Sequence, residues 1–96
     1  MTAPFVRNNE DRNRFEIEVE GEIAFAEYHL VDDHIVFPHT VVPKALEGRG
    51  LGAKLVEAGL EYAREEGLSV VPRCSFFARY FERHPEHREL LHHDWR

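Results

Sequence analysis

Ninety-six residues, 43% apolar and 31% charged, make one globular domain with a modest core, because a chain this short buries only roughly 60–70% of the surface it exposes when unfolded. Eighteen acidic residues against twelve basic ones leave a net charge of −6, which argues against non-specific nucleic-acid binding and mildly favours a cationic partner. The single cysteine can form no internal disulfide, no apolar run is long enough to span a bilayer, and Met1 to Pro4 lack the charged and apolar regions of a signal peptide, so the expected setting is the cytoplasm, away from membranes.

Phe5 to Asn8 is a short strand candidate, and Asn8 to Asn13 is a polar loop. Phe15, Ile17 and Val19 alternate with Glu16, Glu18 and Glu20, the two-residue period of a strand with one solvated face, on which the glutamates are expected to lie. Glu20-Gly21 turns the chain into a second strand, Glu22 to Leu30, whose residues predict that both faces are covered. After a turn at Asp32-Asp33, a third strand begins at Ile35 to Phe37 and ends at Val41-Val42. Pro38 interrupts it, and since proline cannot donate to a ladder, a bulge is expected there.

Val42 to Leu55 reads V-P-K-A-L-E-G-R-G-L-G-A-K-L, a strand end passing through a glycine turn into an amphipathic helix. Gly48, Gly50 and Gly52 lack β-carbons, so the backbone can turn sharply and a ligand can approach its amides. Leu51, Leu55, Ala58, Gly59, Tyr62 and Ala63 recur at helical spacing and predict a helix from about Arg49 to Glu66, stopped by Gly67. The unpaired N–H groups at its start, the positive end of its dipole and the charge of Arg49 all favour a phosphate or pyrophosphate. Gly50→Val is expected to abolish such binding while the fold persists. A Walker loop is excluded, because no Gly-Lys-Ser/Thr follows. Gly48 to Ala53 does satisfy the dinucleotide pattern G-x-G-x-x-G/A, but only one strand candidate follows, and Arg73 stands near where the ribose-binding acid belongs.

That strand, Leu68 to Val71, is expected to run parallel to an earlier one through a right-handed crossover, and Pro72 stops it. Cys74 follows at once, with Ser75 as the expected N-cap of a last helix carrying Phe77, Ala78, Tyr80 and Phe81. Pro85 opens a further helical turn, and Leu90, Leu91 and Trp95 are expected to dock the C-terminal segment. His84, His87, His92 and His93 have a spacing that metal sites also use, but surface histidine tails are common and no metal is expected.

The glycine turn resembles motif A of the GNAT acetyltransferase superfamily, Q/R-x-x-G-x-G/A between a strand and a helix, with Gly50 and Gly52 in place and Glu47 standing in the Q/R position. His39 to Pro43 (H-T-V-V-P) and Pro72 to His87 (P-R-C-S-F-F-A-R-Y-F-E-R-H-P-E-H) are similar to the H-T-x-V-P and P-x-C…H-P-E segments of a short branch of that superfamily, so the resemblance spans nearly the whole chain. It implies an α/β (α+β) fold over a single domain, residues 1–96: antiparallel strands, then a parallel strand-helix unit and a C-terminal helix. It also implies acetyl-CoA as cofactor and transfer of its acetyl group to a small-molecule or peptide amine. By the same resemblance, Val41 and Val42, with Thr40, line the slot for the pantetheine arm beside the bulged strand. Glu47, Gly48, Arg49, Gly50, Leu51, Gly52 and Ala53 hold the pyrophosphate.

Three residues are candidates for the chemistry. His39 is a general base, since an imidazole titrates near neutral pH, or a histidine satisfied within the sheet. Cys74 lines the acetyl site, either as a nucleophile activated by Arg73 and the helix start or as packing. Tyr80 lies where many superfamily members keep a tyrosine that protonates the leaving thiolate; core packing is its other reading. The chain lacks room for the two helices after the first strand and the final hairpin that shape the acceptor site in full-length members, so a non-catalytic acyl-CoA-binding module working with a partner is the rival function.

Overall fold

The computed structural model describes residues 5–95, so the reading of Met1 to Pro4 lies outside the described residues. Strand β1 (Arg7–Asn9) leads into a 3-10 turn, Glu10–Arg12, in which the Arg12 N–H donates to the Asn9 side-chain oxygen. Strands β2 (Arg14–Val19) and β3 (Glu22–Glu27) form a hairpin in register from Arg14 against Glu27 to Val19 against Glu22. Its two loop residues, Glu20 and Gly21, both have positive φ, +53° and +82°, the mirror-image turn that matches the twist of a tight hairpin.

Beyond this hairpin the two long strands expected from the sequence are each divided. The first continues as β4 (His29–Val31) and the second is split into β5 (His34–Phe37) and β6 (Thr40–Val41). β4 pairs with β5 as His29 against Val36, whereas β3 pairs with β6 as Ala26 against Thr40, so three positions on one side are matched by four on the other. The extra residue is the bulge expected at Pro38, and it lets β5 and β6 belong to different sheets. One sheet has the order β1-β2-β3-β6 and the other β4-β5-β7, where β7 is Ser69–Pro72 and runs parallel to β5. The strands therefore divide into two sheets at the bulge.

Helix α1 (Leu51–Glu66) crosses from β6 to β7 and ends at Gly67, which has φ +68° and donates its N–H back into the last turn; Leu68 N–H reaches the Ala63 carbonyl. Helix α2 (Ser75–Arg83) follows β7, and a 3-10 segment, Pro85–Leu90, follows α2. Cys74, not Ser75, is the N-cap residue of α2, with extended backbone and no side-chain cap.

Both helices pack on one face of the strands. Phe15, Ile17, Ala24, Ala26, Tyr28, Ile35 and Phe37 meet Leu55, Val56, Leu60, Phe77 and Phe81 there, and the Phe37 and Phe77 rings stack 3.9 Å apart. Gly59 of α1 has no β-carbon because one would lie 2.8 Å from the buried Phe37 ring. Leu90 and Leu91 are buried as expected, Leu91 bridging Val70 of β7, but Trp95 stays 42% exposed.

The other face corrects two expectations. β3 is covered on one side only, since Ile23 and Val41 stay exposed and Phe25 carries the Arg14 guanidinium over its ring at 4.3 Å. Glu16, read as solvated, is buried at 5% exposure, where Arg7 and Arg14 pair with it and Asn9 donates to Oε2 at 3.1 Å. Burial alone would raise the Glu16 carboxyl, but the hydrogen bonds from Arg7, Arg14 and Asn9 outweigh it and hold the group at about 2.

Candidate functional site

The parallel pairing of β5 with β7 stops at Phe37 against Pro72, and the Cys74 N–H closes it with a 3.0 Å bond to the Phe37 carbonyl. Past that point β6 bends away to pair with β3, and it lies at the edge of its sheet. Its outer edge therefore faces the space between the diverging strands. Thr40 and Cys74 stand at the fork, Oγ1 and Sγ 3.3 Å apart.

The chain then makes a 3-10 turn, Lys44–Leu46, and passes through Gly48 and Gly50, at φ +82° and +75°, into α1. The first backbone bond of α1 runs from Lys54 N–H to the Gly50 carbonyl, so the amides of Leu51, Gly52 and Ala53 precede it, and no side chain caps them. A helix start without a cap offers these donors and half a positive charge to an anion.

These pieces enclose one cleft of about 520 Å³, lined by Thr40, Val41 and Val42, by Leu46, Glu47 and Gly48, by Gly50 to Ala53, and by Phe76 of α2. Of the residues expected to hold a cofactor, Arg49 alone is absent from the lining; its Nη2 lies 3.4 Å from Glu20 in an exposed pair. Gly50 also needs its positive φ, so the expected Gly50→Val variant would carry strain as well as crowd the amides: a left-handed conformation costs an ordinary residue about 1–2 kcal/mol. The missing β-carbon of Gly52 has a further reason, since one would sit 2.3 Å from Phe76 Cε1. Phe76 and Leu46 were not singled out in the sequence, because nothing local marks which aromatic of a helix will lean on a glycine of another.

The candidate chemical residues are dispersed. Cys74 is 7% exposed and sits behind Thr40, outside the lining of the cleft. Tyr80 also lies outside the lining: its hydroxyl donates to Glu57 Oε2 at 3.2 Å and its ring stacks 4.2 Å from His84. Burial, then the Glu57 charge, pushes its phenol above the ordinary value. His39 too lies outside the lining, beside Thr40 at its rim: it is half-exposed, on the uncovered face of the sheet, with Nε2 3.0 Å from Glu27 Oε1. The C-terminal histidines separate into two groups. His84 and His87 stack on Tyr80, while His92, His93 and Asp94 bring ligand atoms within 4.8 Å of one another on an exposed turn. Among the described residues, no helix is long and apolar enough to cross a membrane.

Glu47 belongs to the lining, close in sequence to the helix start that would hold an anion. Glu47→Gln is therefore expected to tighten CoA binding severalfold, because a unit charge pair at about 4 Å is worth about 1 kcal/mol even in water. Calorimetric titration of both proteins with CoA would check this, and weaker binding by the variant would mean that Glu47 contributes a needed acceptor.

A bulged strand diverging from a parallel neighbour, with an uncapped helix start opening beside it, defines the class: a small α/β protein built around a cleft at the start of a helix. A model of the GCN5-related N-acetyl-transferase family matches residues 14–90, and the chain belongs to that family. Protein NATD1 from Gallus gallus is 31% identical over 90 residues, covering 91% of this chain and 82% of the relative. Its counterpart from Mus musculus is 31% identical over 83 residues, covering 83% and 76%. Among solved structures, the solution structure of a GCN5-like protein from Staphylococcus aureus superposes with a TM-score of 0.73 at 32% identity, over 96% of this chain and 91% of that one.

Proposed function

We propose that the chain binds acetyl-CoA in this cleft and transfers the acetyl group directly to an amine. The observation that carries the reading is that the uncapped start of α1 and the free edge of β6 open into one cavity. The positive-φ glycines and the amides of Leu51 to Ala53 fit a pyrophosphate, and an extended amide chain can pair with the edge of β6. When bound, acetyl-CoA supplies an activated thioester. The chain's part is to hold that group at the fork near Thr40 and to accept a proton from the incoming amine. Burial of Cys74 behind Thr40 supports direct transfer over an acyl-enzyme.

The same cleft would serve a non-catalytic acyl-CoA-binding module, and the observation on that side is that the Tyr80 hydroxyl is engaged by Glu57 outside the cleft. The acceptor we infer is a small-molecule or peptide amine met in the cytoplasm, with neither nucleic acid nor membrane required.

Thermal unfolding tests binding. CoA at a hundred times its dissociation constant adds about 2.7 kcal/mol, roughly 10–20 °C for a domain of this size, and NAD and ATP are expected to give no comparable shift. A curve unmoved by millimolar CoA would refute the reading, as would a larger shift with NAD. Turnover of acetyl-CoA across polyamines, peptides and small amines then separates enzyme from binder. Intact mass after incubation without acceptor should show no adduct at Cys74, and an acetyl adduct lost in Cys74→Ser would replace direct transfer with a two-step route.

A further inference from the structure

Glu27, at the end of β3, has both carboxylate oxygens engaged by imidazoles: Oε1 lies 3.0 Å from Nε2 of His39, and Oε2 lies 3.0 Å from Nε2 of His29. The backbone dictates this meeting. Ala26 opposes Thr40, and the Glu27 N–H donates to the His39 carbonyl at 3.1 Å, so Glu27 and His39 are directly opposite on adjacent strands. Alternation along a strand then sends Ala26 and Thr40 to the helix side and Glu27 and His39 to the uncovered side. His29, two residues beyond Glu27, shares that side. The bulge at Pro38 is what brings His39 opposite a carboxylate: carried through from β4 and β5 without the extra residue, the register would set Glu27 against Pro38.

His39 is therefore one residue from Thr40 at the fork but on the opposite side of the strand from the buried thiol. The helices pack on one side of the strands, so the uncovered side, where His39 stands, is the open approach to a thioester lying along the free edge of β6. We propose that Glu27 is a positioning residue that holds His39 as the base for the acceptor amine; this rests on the acetyl-transfer reading above. With its carboxylate 3.0 Å from Nε2, Glu27 favours the tautomer that carries its proton there and its lone pair on Nδ1, and it balances the positive charge of the imidazolium that forms. His29, on the second oxygen, keeps the carboxylate from rotating away.

The step balances as follows. His39 takes one proton from the ammonium form of the acceptor and later passes it to water. The freed nitrogen pair forms the N–C bond, the C–S pair leaves with sulfur, and the second proton lost by nitrogen goes to the thiolate, giving amide and thiol.

The test compares full-length wild type, Glu27→Gln, His39→Ala and the double variant, with saturating acetyl-CoA and the best amine of the panel. His39→Ala is expected to lower kcat on the order of 100-fold, the usual scale of general-base catalysis, and added imidazole should restore part of it. Glu27→Gln should lose at least about tenfold in kcat with the KM for acetyl-CoA and the melting temperature unchanged, and the double variant should be no slower than His39→Ala, because the two residues act as one unit. A wild-type kcat in Glu27→Gln, a loss confined to KM or stability, or additive losses would overturn the proposal while acetyl transfer stands. A wild type that binds CoA but acetylates no amine would overturn both.

Discussion

Ala53→Glu is expected to abolish most of the CoA-induced rise in melting temperature while leaving the unliganded protein as stable as before or slightly more so. Ala53 is exposed and is the third residue of α1 after Gly50, the N-cap. A glutamate at this third position reaches back to the amide of the N-cap residue, so its carboxylate would lie across the helix start where a pyrophosphate would sit. Its charge favours the helix start by about 0.3–1 kcal/mol, which stabilises the free protein. The same charge repels a bound diphosphate, and at intermediate dielectric a pair at about 4 Å is worth about 4 kcal/mol, enough to cost well over tenfold in affinity. The two signs are opposite, which separates lost binding from lost folding. Ala53→Gln is the control of equal size, and it should retain most of the shift. Melting curves of the three proteins with and without CoA check the prediction. An undiminished shift in Ala53→Glu would move the anion away from α1.

Loss of the Glu16 carboxylate is expected to be the largest single change in stability on the uncovered face. The folded group sits at about 2 against an ordinary 4.5, so its contribution is fully present above pH 4.5 and is lost as pH falls through 2. That interval corresponds to on the order of 3 kcal/mol, a large share of the margin of a small domain. Glu16→Gln should therefore be less stable than wild type by about 2–3 kcal/mol at neutral pH, and the difference should close as the solution is acidified toward pH 2. Urea unfolding of both proteins across this range isolates the residue, because every other carboxylate cancels in the difference. A gap that stays constant with pH would mean that packing against Arg14 and Phe25, not the charge, holds Glu16 in place.

Three features were legible in the residues because their causes are local. Gly21, Gly48, Gly50 and Gly67 take the positive φ that glycine permits at little cost, and those positions bound the hairpin, the turn and the helix that the alternation of Phe15 to Val19 and the spacing of Leu51 to Ala63 had indicated. The bulge follows from the proline at position 38, which can donate nothing to a ladder. The glycine turn and the residues flanking it, Arg49 excepted, meet in one cleft because they are neighbours in sequence and the helix start collects them.

What tertiary structure decided are the pairings between distant segments. Glutamate in an alternating strand reads as solvated, yet two arginines, one from β1 and one from β2 itself, let Glu16 be buried. Arg49 was placed with the anion on proximity alone, but its long side chain turns to Glu20 across the hairpin. Cys74 and Tyr80 were set by their order in the chain, whereas which way each points depends on how α2 rotates against α1, and that rotation follows from Phe77 seeking Phe37 and Phe76 settling on Gly52. By itself the sequence determined where the backbone must bend and where a helix must start, since these depend on single residues and short spacings. Which side chains face one another across the fork, Thr40 with Cys74 and His39 with Glu27, was decided only when one extra residue at Pro38 shifted the register between two strands.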